Sequence, residues 1–184
     1  MHAEPRYSGL LATADEYFAM PDDGFRYELT HGVLVMTPSP SYWHQEVVEM
    51  LCRLINGFTV ARNLGKAVAA PLDVKVSSAT VYQPDIVYFS SAKSARRREV
   101  VDVIPDLVVE VASPGTALKD LQMKKADYEA AGIREYWIVD PDEKLFRFFV
   151  LRGGRYEEQP SDGYVSEVIK GFRVDAAAFW ASLE

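Results

Sequence analysis

The chain has a single cysteine, Cys52, among its 184 residues, which excludes an internal disulfide and leaves thiol redox chemistry without a partner. Cys52 falls inside an apolar helical pattern, where a thiol serves packing. No apolar run approaches the roughly 18 residues of a membrane-spanning helix, and no repeat, low-complexity tract or linker is visible. The N-terminus lacks a basic segment followed by a long apolar block, so no signal peptide is expected and the cytoplasm is the expected compartment. Positive charge is also scarce. With 20 Lys and Arg against 27 Asp and Glu, the formal net charge is −7, which excludes an overall basic coat for binding DNA but not a local basic groove. The dense basic cluster is Arg96-Arg97-Arg98, in a serine-rich stretch that reads as a solvated loop.

What is present is a chain of the commonest single-domain size, residues 1–184. Thr13-Ala14-Asp15-Glu16 has the capping-box pattern and opens a short helix that stops before Pro21. A hairpin follows, with Tyr27–Leu29 and Val33–Met36 flanking Thr30-His31-Gly32. Ser41 caps a longer helix whose inner face carries His44, Val47, Val48, Leu51, Leu54, Ile55 and Phe58, with His44 at its exposed end. Lys66–Val76 and Ala79–Phe89 read as two strands joined at Ser77-Ser78, the second interrupted by Pro84. Leu107–Val111 is a strand buried on both faces. After Ser113-Pro114-Gly115, Thr116 caps a helix over 117–131 that Gly132 ends. Glu135–Val139, Leu145–Leu151 and Tyr164–Ile169 read as further strands, and a short helix closes the chain. One strand-helix-strand unit among mostly antiparallel strands implies an α/β or α+β mixed sheet.

Two charges stand where apolar residues are expected. Glu110 interrupts the buried strand, and an ionised carboxylate there requires a partner. Lys124 shares a helical face with Ala117, Leu121, Tyr128 and Ala131, so it points toward the core. Asp120, one turn earlier, offers an i,i+4 surface pair, which accounts for the two charges but not for the apolar stripe. Asp85, just after Pro84, is a third acidic position preceding a run of aliphatic residues. Two carboxylates on neighbouring strands with a lysine nearby suit a hard divalent cation, which takes one or two protein carboxylates together with water and substrate phosphate. Lys124 would then orient or deprotonate the nucleophile, or stabilise the pentavalent state. The simpler accounts are a turn-capping aspartate at Asp85 and a metal-free salt bridge between Glu110 and Lys124.

Arg26-Tyr27-Glu28-Leu29, Gly32, Ser39-Pro40 with His44, Gln83-Pro84-Asp85, Glu110-Val111-Ala112-Ser113-Pro114, Asp120, Lys124, Tyr128, Gly132 and Glu135-Tyr136-Trp137-Ile138-Val139-Asp140-Pro141 together resemble the Uma-two family. Its members are grouped with restriction endonucleases of the PD-(D/E)XK nuclease superfamily. The resemblance runs from about Ala14 to Asp175. It implies a restriction-endonuclease-like core with an added N-terminal helix and hairpin. It further implies a Mg²⁺-dependent endonuclease, with Mn²⁺ as a substitute, acting on DNA, with RNA as the other phosphodiester substrate and a homodimer as the assembly. Asp85 matches the aspartate of the first motif and Glu110 the acidic residue of the second, with the Val111 carbonyl as a third metal ligand. Ala112 stands where the motif lysine belongs, and Lys124 on the following helix is the substitute the family suggests. Glu28, Asp73, His44 and Asp120 are additional candidates. Glu28 is either a further carboxylate at the metal or a strand-edge glutamate paired with Arg26 or another basic residue, Asp73 faces away from Leu72 and Val74 and would line the same pocket, and His44 is a proton carrier, a phosphate contact or a packing residue. Tyr136 and Trp137 read as core. The acidic net charge and the missing in-motif lysine support a competing reading, a catalytically inactive nuclease scaffold that binds or regulates.

Overall fold

The structure, a computed structural model, describes residues 4–94, 103–113 and 118–183. Arg96-Arg97-Arg98 and the Thr116 cap lie outside them. Helix α1, Ala14–Ala19, begins as the capping box requires, with the Thr13 hydroxyl accepting from the Glu16 amide and the Glu16 carboxylate accepting from the Thr13 amide. Strands β1, Tyr27–Thr30, and β2, Val33–Met36, form the expected hairpin, paired from Tyr27 opposite Met36 to Thr30 opposite Val33. The two linking residues, His31 and Gly32, both have positive φ, as a tight two-residue turn demands.

Helix α2, Tyr42–Thr59, is capped by Ser41 and buries His44, Val47, Val48, Leu51 and Ile55. Two details differ from the sequence reading. Leu54 lies at the margin of the apolar stripe and is 44% exposed. His44 is buried rather than at an exposed helix end.

The region expected to hold two strands holds four: β3, Gly65–Ala69, β4, Val74–Ser77, β5, Thr80–Tyr82, and β6, Ile86–Ser90. Pro71 and Pro84 lack the N–H a continuing ladder needs, and each divides an apparent strand into two that join different sheets. Strands β4 and β5 complete a four-stranded sheet in the order β2-β1-β5-β4. Strands β3 and β6 enter a six-stranded sheet with β7, Leu107–Val111, β8, Glu135–Asp140, β9, Leu145–Arg152, and β10, Arg155–Gln159, in the order β10-β9-β8-β7-β6-β3. Among the described residues only the β7–β8 pairing is parallel, and its crossover carries helix α4, Leu118–Ala130. A 3₁₀ turn at Val60–Arg62, the short helix α3, Ser91–Ser94, and helix α5, Ala176–Ala181, complete the described elements.

Strand β10 takes the place expected for a strand at Tyr164–Ile169. Gly153 and Gly154, both at positive φ, turn the chain from β9 directly into β10. The segment expected to be a strand wraps around Glu135 instead. The Glu135 carboxylate accepts from the Ser166 hydroxyl at 2.9 Å, the Val168 amide at 3.0 Å, the Glu167 amide and the Trp137 indole. Amides spent on a buried carboxylate are not free to build a ladder.

The two faces of the large sheet carry different cores. Ile86, Val109, Trp137 and Phe148 face α2 and α5, while Val87, Val108, Tyr136 and Phe149 face Leu121 and Tyr128 of α4. The small sheet packs Tyr27, Leu29 and Val81 against Ala14 and Tyr17 of α1. Strand alternation turns Glu28 and Tyr82 to its opposite face, and Tyr82 joins the α4 side of the large sheet's core. No helix among the described residues is long and apolar enough to cross a membrane.

Candidate functional site

Lys124 reaches inward, not toward solvent. Its Nζ donates to Glu28 Oε1 at 2.9 Å and Glu110 Oε1 at 3.2 Å, and its side chain is 15% exposed. Helix periodicity places Tyr128 one turn further along the same face, and the Tyr128 hydroxyl donates to the same Glu110 oxygen at 2.6 Å. Glu28 is therefore no partner of Arg26, whose guanidinium instead donates to the Pro38 carbonyl. Nor does it lie at a sheet edge, because β1 is flanked by β2 and β5. A second bond to Glu28 comes from the Gln83 amide at 2.8 Å.

Asp85 stands at the start of β6. The β6–β7 register pairs Ile86 with Val109, and one residue further it sets Asp85 across from Glu110. Asp85 Oδ2 accepts from the Val111 amide at 2.7 Å, and Oδ1 lies 3.0 Å from His44 Nε2. The site thus spans both faces of the large sheet at one end of β6 and β7, with α2 contributing His44 and α4 contributing Lys124 and Tyr128.

The electrostatics follow from two carboxylates on one lysine, with Asp85 acting on Glu110. Burial pulls Lys124 down, but Glu110 and Glu28 outweigh it and hold its ammonium above the ordinary range. Burial raises the Glu110 carboxyl, Asp85 and Glu28 add to the rise, and Lys124 and the Tyr128 hydroxyl oppose it, leaving it near 7. Excess negative charge thus acts in one direction on both groups. Burial lowers His44, but the hydrogen bond and charge of Asp85, followed by the charge of Glu110, raise it on balance.

The remaining candidates separate. Asp73 accepts from the Tyr17 hydroxyl and from Gln83 Nε2, each at 2.9 Å, and lines a neighbouring cavity of about 280 Å³ with Tyr7, Tyr17 and Tyr27. It has no bond to Asp85, Glu110 or Lys124 among the described residues. The Asp120 side chain lies outside those residues, and so does its pairing with Lys124. Tyr136 and Trp137 are fully buried core residues.

Sequence reasoning gave no role to Tyr128, Tyr82 or Asp127, which lie around the candidate site: Tyr128 bonds Glu110, the Tyr82 ring faces the Lys124 ammonium, and the Tyr82 hydroxyl donates to Asp127. Tyr128 was on the apolar stripe without a role, although its spacing of four from Lys124 was signal enough. Tyr82 and Asp127 carry no such signal, because their partners are remote in sequence.

Asp85 and Glu110 are hard oxygen donors, the ligand type that a cation such as Mg²⁺ takes. No group of three or more His, Cys, Asp or Glu is gathered to hold a metal among the described residues. Mg²⁺ needs only one or two protein carboxylates, the rest of its shell being water and substrate.

Comparison with known proteins places the chain further. The model of the Uma2 (Uma-two) family, "Putative restriction endonuclease", matches residues 14–177. A crystal structure of a "putative nuclease belonging to DUF820" from Anabaena variabilis ATCC 29413 superposes with a TM-score of 0.79 at 18% identity, covering 94% of this chain and 99% of the other. That likeness establishes a restriction-endonuclease-like fold. No curated protein matches the chain.

Proposed function

Since the chain belongs to the Uma2 family, we propose that it is a divalent-metal-dependent endonuclease that hydrolyses DNA phosphodiester bonds with Asp85, Glu110 and Lys124. The observation that carries this reading is the ion pair between Lys124 of α4 and Glu110 of β7. It brings an ammonium to a strand whose own motif position is held by Ala112.

Asp85, Glu110 and the Val111 carbonyl would hold Mg²⁺ or Mn²⁺, and a bound ion would lower the pKa of water and stabilise charge on the phosphoryl group. The chain's own residues supply the rest. Lys124, held as an ammonium by Glu28 and Glu110, is a donor rather than a base. Of the roles the sequence left open, orientation of the nucleophile and charge stabilisation are the ones that a charged ammonium serves. The Val111 amide and His44 fix the two oxygens of Asp85, limiting the reorganisation required when substrate arrives. Glu110 loses its proton near neutrality, so the site gains its full negative charge there. Cutting both strands of a duplex needs two such sites, and a homodimer provides them.

The decisive experiment incubates supercoiled plasmid with the purified protein and Mg²⁺ or Mn²⁺ across pH, with labelled RNA as a parallel substrate. Nicking by the wild type that Asp85→Ala, Glu110→Gln and Lys124→Ala each lower by about 100-fold or more is expected. Equal absence of cleavage in wild type and Asp85→Ala on every substrate would remove the reading. A calorimetric Mg²⁺ titration without carboxylate-dependent heat would then identify an inactive scaffold.

A further inference from the structure

A lysine that acts from a helix has a problem that one on the strand does not. Four flexible methylenes separate its ammonium from the backbone, so direction must come from whatever surrounds it. Two of its three N–H groups go to Glu28 and Glu110. The third side is closed by an aromatic ring, with Nζ 4.9 Å from the centroid of Tyr82, where the negative face of the ring attracts a cation.

Tyr82 is pinned at three points. It is fully buried, so its ring has no room to swing. Its hydroxyl donates to Asp127 Oδ2 at 2.6 Å. Its ring meets Tyr128 edge to face, centroids 5.7 Å apart at 81°, and Tyr128 is the residue that holds Glu110. Asp127 is itself tied from outside, with both carboxylate oxygens within 3.0 Å of Nε2 of His31 in the β1–β2 turn. Asp127 lies three residues after Lys124, so a single turn of α4 carries the ammonium and holds the ring beneath it.

Resting on the nuclease reading above, we infer that Tyr82 is a positioning residue for the reaction: its ring face is the platform that aims the Lys124 ammonium, and the Asp127–His31 pair locks that ring in place. Tyr82 touches neither substrate nor metal in this assignment. It acts through Lys124, and its loss lowers turnover rather than substrate binding.

The test has an arm that needs no cleavage. In the metal-free protein, proton NMR of Lys124 reads the ring directly, because protons above an aromatic face shift upfield. The ε-CH₂ protons of Lys124 are expected upfield of the ordinary lysine position, as are those of Lys125, whose Nζ lies 4.1 Å from the Phe149 centroid. Tyr82→Phe retains most of the Lys124 shift, and Tyr82→Leu abolishes it while leaving that of Lys125 and the remaining spectrum native. Asp127→Ala, which breaks the same hydrogen bond as Tyr82→Phe, lowers the Lys124 shift to the same small extent. A Lys124 resonance at the ordinary lysine position in the wild type overturns the inference even if Tyr82→Leu cannot be folded. In the plasmid assay, Tyr82→Leu is expected to lower kcat by about tenfold with KM nearly unchanged, and Tyr82→Phe to restore most of it. Equal kcat in wild type and Tyr82→Leu also overturns it. Should the wild type cut nothing, the nuclease reading fails while the NMR arm still decides whether the ring holds the lysine.

Discussion

Glu110 links the stability of the molecule to pH. Its carboxyl titrates near 4.5 when unfolded and near 7 when folded, so between those values the native state keeps a proton that the unfolded chain has released. Stability therefore falls as pH rises through that window and levels off above it. The groups that face it are Lys124 and Tyr128 from α4, Glu28 from β1, and Asp85, which His44 contacts. Urea midpoints at pH 5 and pH 8 are expected to differ less in Glu110→Gln than in the wild type, and an equal or larger difference in the variant would count against this assignment. Lys124 obeys the opposite constraint. Lys124→Ala leaves Glu28 and Glu110 without their cation, and at pH 8 should cost about 3 kcal/mol of unfolding free energy. At pH 5 the loss should be smaller, because Glu110 can take a proton, and urea denaturation at the two pH values checks both. The sequence exposed these two residues because a charge among apolar neighbours is a local signal. It could not show Glu28 joined to Lys124 or His44 joined to Asp85, since those pairs are 96 and 41 residues apart.

Among the elements, legibility followed local chemistry. The Thr13 capping box, the Ser41 cap, the His31-Gly32 turn and Gly132 at φ +76° each left a mark within four residues. Thr13→Ala should lower stability by about 1 kcal/mol, a shift that thermal melting resolves. The misreadings arose where a local breaker was underweighted or where the decisive partner was distant. Lys66–Val76 looks continuous until Pro71 is given its weight, and Tyr164–Ile169 looks like a strand until the buried carboxylate of Glu135 claims its amides. Gly153-Gly154 was a turn signal that the apparent later strand obscured. One glycine carries a steeper constraint. Gly65, at φ +140° where β3 begins, would bring a Cβ within 2.1 Å of the Phe89 carbonyl oxygen, which is backbone and cannot move aside. Gly65→Ala should therefore open the β3–β6 pairing and cost roughly 2–4 kcal/mol. Hydrogen exchange at the β3 amides is the measurement that would detect it.

For the whole molecule, the added N-terminal helix and hairpin expected from the sequence belong to the small sheet, and that sheet reaches the candidate site: β1 supplies Glu28, β5 supplies Tyr82, and the hairpin turn supplies His31 to Asp127. The net charge of −7 belongs at this scale too. DNA affinity of an acidic chain rests on a few local contacts, so its dependence on salt should be shallow, corresponding to about two to four phosphates. Fluorescence anisotropy with a short duplex in Ca²⁺ over a salt series measures that slope, and a steep one would point to an extensive basic surface.

The wide separation of Lys124 from Glu28 also imposes an order in time. Glu28, Asp85 and Glu110 all leave the ribosome before Lys124, so a nascent chain shorter than α4 has its acidic groups and no cation to neutralise them. Closing a loop of that length is slow compared with forming a hairpin or a helix. The hairpin can form early and pack on α1, but its Glu28 has no lysine to hold until α4 docks. The candidate site is thus incomplete until synthesis has passed the crossover.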